Sequence, residues 1–302
     1  MSVRELVVLG TASQVPTRER NHHGALLRWD AEGVLFDPGE GTQRQMALAG
    51  VSASTITRIC ITHFHGDHCL GLPGVAQRLR LDQVAHPVDV YFPAAGTGYY
   101  ERLLTATVHQ PADQLRPHPC APGTVADAPA FRIEARPLVH RTATLGWRLV
   151  EPDGRRMLPD RLEAAGVAGP DVGRLQREGS LEVAGRRVRL EEVSAPRPGQ
   201  KVAFVMDTKL CDAALALAAD ADLLVCEATF LERDADLAER YRHLTATQAG
   251  RIAAEAGARR LVLTHFSRRY PDLDAFAAEA ARHHADVVVA RDLDRVAVPP
   301  RR

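Results

Sequence analysis

The stretch Thr62-His63-Phe64-His65-Gly66-Asp67-His68 constrains this 302-residue chain more than any other. Four of its seven residues are potential metal ligands, and it follows directly on the apolar run Ile59-Cys60-Ile61. In an extended segment alternate side chains share a face, so His63 and His65 are expected to point the same way. Gly66 then lets the backbone turn, presenting Asp67 and His68 from the other side. Two groups of ligands imply two metal ions. Imidazoles and a carboxylate suit Zn²⁺, with Mn²⁺ or Fe²⁺ as lesser candidates. Chance enrichment of a surface loop in histidine would rarely produce this spacing behind a buried strand.

The same rhythm, an apolar run and then a ligand-type residue, recurs along the chain. Leu6-Val7-Val8-Leu9 reads as a buried strand ending at Gly10. Leu26-Leu27-Arg28-Trp29 and Val34-Leu35-Phe36 read as a β-hairpin that leaves Asp37 at a strand end. Residues 131–137 run out towards His140, Val202-Ala203-Phe204-Val205-Met206 delivers Asp207, and Leu223-Leu224-Val225-Cys226 delivers Glu227. Leu261-Val262-Leu263-Thr264 ends at His265. Helices are expected over residues 42–49, stopped at Gly50, over 75–81, over 98–104, and from a Thr245 cap towards Ala256. Two stretches break the rhythm. Residues 109–129 read as irregular, with His109 and His118 as ordinary surface histidines. After Glu151, Gly, Pro and Arg rise and apolar periodicity disappears; residues 155–201 hold ten Arg/Lys against seven Asp/Glu, a net of plus three.

Lys plus Arg equals Asp plus Glu at 38 each, so no global basic field marks a nucleic-acid partner, and an RNA substrate would need a local patch. Five cysteines, an odd number without a Cys-x-x-Cys pair, argue against a disulfide framework and for a reducing compartment. Cys69, beside His68, reads as a small apolar residue starting a packed helix rather than as a ligand. Met1-Ser2-Val3-Arg4-Glu5 lacks an apolar signal core, and the longest apolar run, residues 213–226, is broken by Asp220 and Asp222. The expected location is the cytoplasm, with no membrane association.

The pattern His-x-His-x-Asp-His resembles the signature of the metallo-β-lactamase superfamily. Phe36-Asp37-Pro38-Gly39-Glu40-Gly41-Thr42-Gln43, Pro16-Thr17-Arg18-Glu19-Arg20-Asn21, Cys226-Glu227-Ala228-Thr229-Phe230, His243-Leu244-Thr245-Ala246 and Thr264-His265-Phe266-Ser267-Arg268-Arg269-Tyr270 narrow it. Together these resemble the ribonuclease Z family of tRNA 3′-processing endonucleases, from Leu9 to about Tyr270.

The resemblance implies an α/β fold, the αββα sandwich of two facing mixed β-sheets with outer helices, as a single domain over residues 1–302. Residues 152–200 would be an inserted, protruding arm that grips tRNA, with Gly169, Pro170 and Arg174 in it. It implies two Zn²⁺ per subunit, with Mn²⁺ as a possible substitute: His63, His65 and His140 on one, Asp67, His68 and His265 on the other, and Asp207 bridging. Asp37 would hold a histidine ligand through its far nitrogen. Glu227 and His243 would form the carboxylate-histidine pair that protonates the leaving oxygen, and Asp67 would also orient the attacking hydroxide. Arg18, Arg20 and Asn21 lie in the loop implicated in rejecting CCA-ended tRNA, and the helix near residues 75–81 would help pair two subunits. The expected reaction removes the 3′ trailer from precursor tRNA, leaving a 3′-hydroxyl on the tRNA and a 5′-phosphate on the trailer. Met206, where the family usually has Gly, raises the question of how closely substrate can approach Asp207. A small-molecule phosphodiesterase or lactonase would share all seven ligands without needing the arm, whereas a non-enzymatic RNA-binding protein would not need them filled.

Overall fold

Strands buried on both faces dictate the architecture. On β1 (Arg4–Gly10), Leu6 and Val8 join one apolar cluster while Val7 and Leu9 join another on the opposite face, which is why the sequence reads as an unbroken apolar run. The computed structural model describes residues 3–108 and 113–301, so Met1, Ser2 and His109 lie outside it.

β1 is followed by β2 (Gly24–Trp29), β3 (Glu32–Phe36), β4 (Arg58–Cys60), β5 (Val88–Pro93) and β6 (Leu115–Cys120). A second set is β7 (Gly123–Asp127), β8 (Arg132–Leu138) and β9 (Thr144–Val150). Then come β10 (Gly154–Met157), β11 (Ser180–Val183), β12 (Arg186–Arg189) and β13 (Ser194–Arg197), β14 (Lys201–Val205), β15 (Leu223–Glu227), β16 (Leu261–Thr264), β17 (Val287–Val289) and β18 (Arg295–Ala297). One seven-stranded mixed sheet has the order β18-β1-β2-β3-β4-β5-β6 and the other β17-β16-β15-β14-β9-β8-β7. Between them lies a core of side chains from both sheets, including Phe36 stacked on Phe204 at 4.3 Å and Trp29 edge-on to Phe131 at 6.1 Å. Such aromatic pairs contribute about 0.5–1.5 kcal/mol beyond their buried area. Helices Thr42–Leu48, Leu72–Leu81 and Thr97–Leu104 cover the first sheet; Asp212–Ala218, Ala246–Glu255 and Asp274–Ala281 cover the second.

β3 to β6 run parallel, as do β14, β15 and β16, and β8 points the same way as β14 because each is antiparallel to β9. The carboxyl ends of these strands therefore gather the residues that follow them, the place where open α/β sheets build their sites.

Several expectations need correction. Of the stretch 109–129 expected to be irregular, the described residues from 113 onward contain β6 and β7. Pro117 and Pro119 are tolerated because β6 is the edge of its sheet, where a missing N–H breaks no ladder. His118, on β6, is half-exposed; its Nε2 lies 2.8 Å from Asp89 and its ring stacks on Tyr91. Gly66 does turn the backbone, by opening the helical turn Gly66–Cys69 with His65 as its extended N-cap. Cys69 closes that turn rather than starting a helix, its Sγ donating to the His65 carbonyl at 3.2 Å. The helix expected at 75–81 begins at Leu72, with Pro73 in its first turn.

The chain divides into two compact units: the sandwich, up to Val150 and from Lys201 to Pro299, and Glu151–Gln200 with the carboxyl-terminal residues from Pro300. The second unit is also more ordered than its sequence suggests. β10 pairs with β13, β11 and β12 form a hairpin turned at Ala184-Gly185, both at positive φ, and helices Pro159–Ala164 and Pro170–Glu178 close over Val167, Leu175, Leu181, Val188 and Val193. Each element is too short to show a period. Among the described residues no helix is long and apolar enough to cross a membrane.

Candidate metal centre and catalytic site

Seven residues converge where the strands end. His63, His65, Asp67 and His68 follow β4, His140 lies two residues past β8, Asp207 two past β14, and His265 directly past β16. Asp37, Asp207 and His265 all have positive φ (44°, 44° and 64°), a conformation that costs a non-glycine residue energy and concentrates at functional sites.

Two groups form around Asp207. His65 Nδ1 lies 2.9 Å from His63 Nε2 and 3.3 Å from His140 Nε2, and Asp207 Oδ2 lies 3.5 Å from His63 Nε2 and 3.6 Å from His140 Nε2. His68 Nε2 and His265 Nε2 lie 3.1 Å apart, each 3.5 Å from Asp67 Oδ2 and 3.3 and 3.2 Å from Asp207 Oδ1. One aspartate thus faces both groups with different oxygens. His63, His65, His140 and Asp207 have ligand atoms disposed to hold one ion, and Asp67, His68 and His265 another.

The tautomers decide whether this set fits cations. Asp37 accepts from His68 Nδ1 at 2.9 Å, the Arg242 carbonyl from His140 Nδ1 at 3.1 Å, and the Thr229 hydroxyl from His265 Nδ1 at 2.9 Å. Thr62 donates its hydroxyl to Asp37 at 2.7 Å and so accepts from His63 Nδ1 at 3.0 Å. Four imidazoles are thereby fixed with Nε2 lone pairs turned inward, towards one another and towards carboxylates, and buried Asp207 Oδ1 has no hydrogen-bond donor. Lone pairs so close repel unless a cation or proton lies between them. Nitrogens bound at about 2.0–2.1 Å around a tetrahedral Zn²⁺ stand roughly 3.3 Å apart, so the donor set fits.

The electrostatics agree. Burial disfavours the imidazolium of His68, yet Asp207, Asp67 and Asp37 outweigh it and hold that residue well above the usual histidine range. Burial drives His63, His65 and His140 down. Burial opposes the ionised form of Asp67 too, but His68 and His265 pull its carboxyl well below the ordinary range.

Beside these seven residues, His243 Nδ1 lies 3.0 Å from Glu227 Oε1, and fully buried Glu227 also accepts from Thr229 at 2.6 Å and from the Thr208 amide at 2.7 Å. Burial disfavours the His243 cation, but Glu227 and then Asp207 push its pKa up to about 9. With Nδ1 committed to Glu227, Nε2 is left for the cavity of about 420 Å³ that His243 lines with His65, Asp67, Asp207, Phe230 and Tyr241.

Other expected site residues are placed differently. Arg20 is buried, and its guanidinium donates to the carbonyls of Tyr270 (3.0 Å) and Ser267 (3.4 Å). Asn21 Nδ2 donates to the Glu40 and His22 carbonyls. Both side chains brace the loop, and of these three residues only Arg18 is exposed. Met206 faces the core between the sheets, so it does not obstruct approach to Asp207. Gly169 is the N-cap of helix Pro170–Glu178 at φ 56°, ψ −132°, a backbone conformation that only glycine adopts readily, so it has a structural duty. Arg174 is exposed but shares its charge with Asp171 and Glu178. Thr62, Thr208, Thr229 and Arg242 went unassigned in the sequence, because their work depends on partners from distant loops. His23, also unassigned, is fully buried behind His68 and His265 with its ring centroids 5.7 and 5.9 Å from theirs.

A two-sheet sandwich with this centre at its strand ends defines the metallo-β-lactamase superfamily. The superfamily's profile matches residues 19–155, and that of the beta-lactamase superfamily domain matches residues 169–266. A ribonuclease Z of Nocardia farcinica is 63% identical over the full length of both chains, and one of Chlamydia pneumoniae 46% identical over 97% of this chain and 95% of its own. The crystal structure of the short form of human tRNase Z superposes with a TM-score of 0.72 at 25% identity, covering 98% of this chain and 100% of that one. This chain belongs to the ribonuclease Z family, metal-dependent nucleases of that superfamily.

Proposed function

We propose that this protein is the endoribonuclease that removes the 3′ trailer from precursor tRNA, leaving a 3′-hydroxyl on the tRNA and a 5′-phosphate on the trailer. What carries the reading is the opening of the Glu227–His243 pair onto the same cavity as the Asp207-centred ligand set. Two divalent cations there, Zn²⁺ by the nitrogen-rich donors or Mn²⁺ as a substitute, would activate water at neutral pH and offset charge on the phosphoryl oxygens. Asp67, on the cavity wall, orients the attacking water. His243 enters protonated, held so by Glu227, and gives its Nε2 proton to the departing O3′.

The 151–200 unit is proposed as the tRNA-binding arm. Its exposed surface carries seven arginines (156, 161, 174, 177, 186, 187, 189) against seven acids (153, 160, 163, 178, 182, 191, 192), so its grip would come from placed guanidinium–phosphate contacts rather than a net field. Exposed Leu48, Leu81 and Tyr99 on the helices over the first sheet support a homodimer paired through that face. Five free cysteines support a cytoplasmic location.

The test is to offer the purified protein a 3′-extended precursor tRNA, a mature CCA-ended tRNA and a nitrophenyl phosphodiester. Cleavage of the precursor with the stated ends is expected. Turnover of the small diester with no precursor cleavage would instead indicate a small-molecule phosphodiesterase.

A further inference from the structure

One wall of the cavity has no part in the mechanism so far. Tyr241 and Phe230 line it beside His243, their rings within 16° of parallel with centroids 6.4 Å apart. The Arg141 guanidinium lies 5.0 Å over the Tyr241 ring, and that of Arg240 5.5 Å. Tyr91, Tyr100 and Tyr270 are buried, whereas Tyr241 keeps 37% of its surface exposed. A part-exposed aromatic ring on a cavity wall beside guanidiniums is suited to stacking a base.

Its position is fixed by the groups that do the chemistry. The Arg242 guanidinium donates to the His140 carbonyl at 2.5 Å while the Arg242 carbonyl accepts from His140 Nδ1, and Arg141 donates to the Arg240 carbonyl at 3.0 Å. Residues 140–141 and 240–243 are laced together, so the ring is held in register with a metal ligand on one side and the acid on the other. The polarity of the reaction then says which nucleotide lies there. The oxygen that leaves, and that His243 protonates, is O3′ of the last nucleotide retained by the tRNA, and a base lies within one ribose of its own O3′. The Phe230 ring is 6.1 Å from that of His243.

Resting on the tRNA reading above, we propose that Tyr241, backed by Phe230 and Arg141, is the stacking surface for the base of the last retained nucleotide, immediately 5′ of the cut. This makes Tyr241 a positioning residue: it sets where the leaving oxygen sits relative to His243.

The experiment compares kcat/KM for wild-type protein, Tyr241→Phe and Tyr241→Leu on precursor tRNAs whose last retained nucleotide carries adenine or is abasic. Stacking on one aromatic ring is worth roughly 5- to 150-fold per base. The expected result is a loss of that order when wild type meets the abasic precursor, and a similar loss for Tyr241→Leu on the adenine precursor. Tyr241→Leu should lose little more on the abasic one, and Tyr241→Phe should stay within a few-fold of wild type on both. Equal slowing of both substrates by Tyr241→Leu would overturn the proposal. A wild-type protein that cuts neither precursor would overturn the tRNA reading itself, a result visible before any variant is compared.

Discussion

Four of the five imidazoles at the centre are each set by the atom that holds the far nitrogen. Asp37 serves His68 in this way and is tied in turn by the Thr62 amide at 2.6 Å. Asp37→Ala should therefore weaken metal affinity by roughly 10- to 100-fold without removing a ligand, measured by competition with a chelator. His243→Ala leaves all seven ligands, so metal content should stay normal while precursor cleavage falls by about 10²–10⁴-fold. A nitrophenyl diester, whose leaving oxygen hardly needs a proton, should suffer far less, and equal losses would remove the acid role. The charge on His243 makes a further test. Its folded pKa of about 9 lies above the unfolded value, so the pairing with Glu227 stabilises the metal-free protein in full below about pH 6.5 and is lost as pH rises through about 9. NMR titration of chelator-treated protein should find it near there, and loading with Zn²⁺ should move it lower, because cations beside it disfavour its own charge.

At the scale of elements, the residues that converge at the centre were legible in the sequence because each closely follows an apolar strand, and burial on both faces makes those strands unmistakable. Thr229 was not, although it lies in a quoted motif, because its work requires Glu227, His243 and His265 to arrive from separate elements. The bracing role of Arg20 was hidden for the same reason: the two carbonyls that its guanidinium meets belong to Ser267 and Tyr270, far along the chain. β6 was hidden by its prolines and the 151–200 unit by the brevity of its elements. Helix Ala246–Glu255 was readable from its cap, where Thr245 accepts from the Gln248 amide and Gln248 returns the bond to the Thr245 amide. Thr245→Ala should cost about 1 kcal/mol in denaturant unfolding. It should also lower turnover more than so small a stability loss explains, since the cap follows His243 by two residues.

For the whole molecule, the decisive change is to replace residues 158–193 by a short Gly/Ser linker, which leaves the β10–β13 ladder and every ligand in place. Nitrophenyl diester hydrolysis should persist and precursor cleavage should collapse through weaker binding, with a shallower dependence on salt. Undiminished processing by the shortened protein would reduce the unit to a surface insertion.

The ligands at positions 63–68 hang from one sheet and those at 140, 207 and 265 from the other. The two ions proposed for this centre would therefore work as a cross-link between the halves of the sandwich, in the way a disulfide does in an oxidising compartment, but one that can be withdrawn by a chelator. The second of the two sets cannot form early, because no chain lacking residue 265 has it complete. On that reading both ions would be held together only once the strands up to β16 have been made.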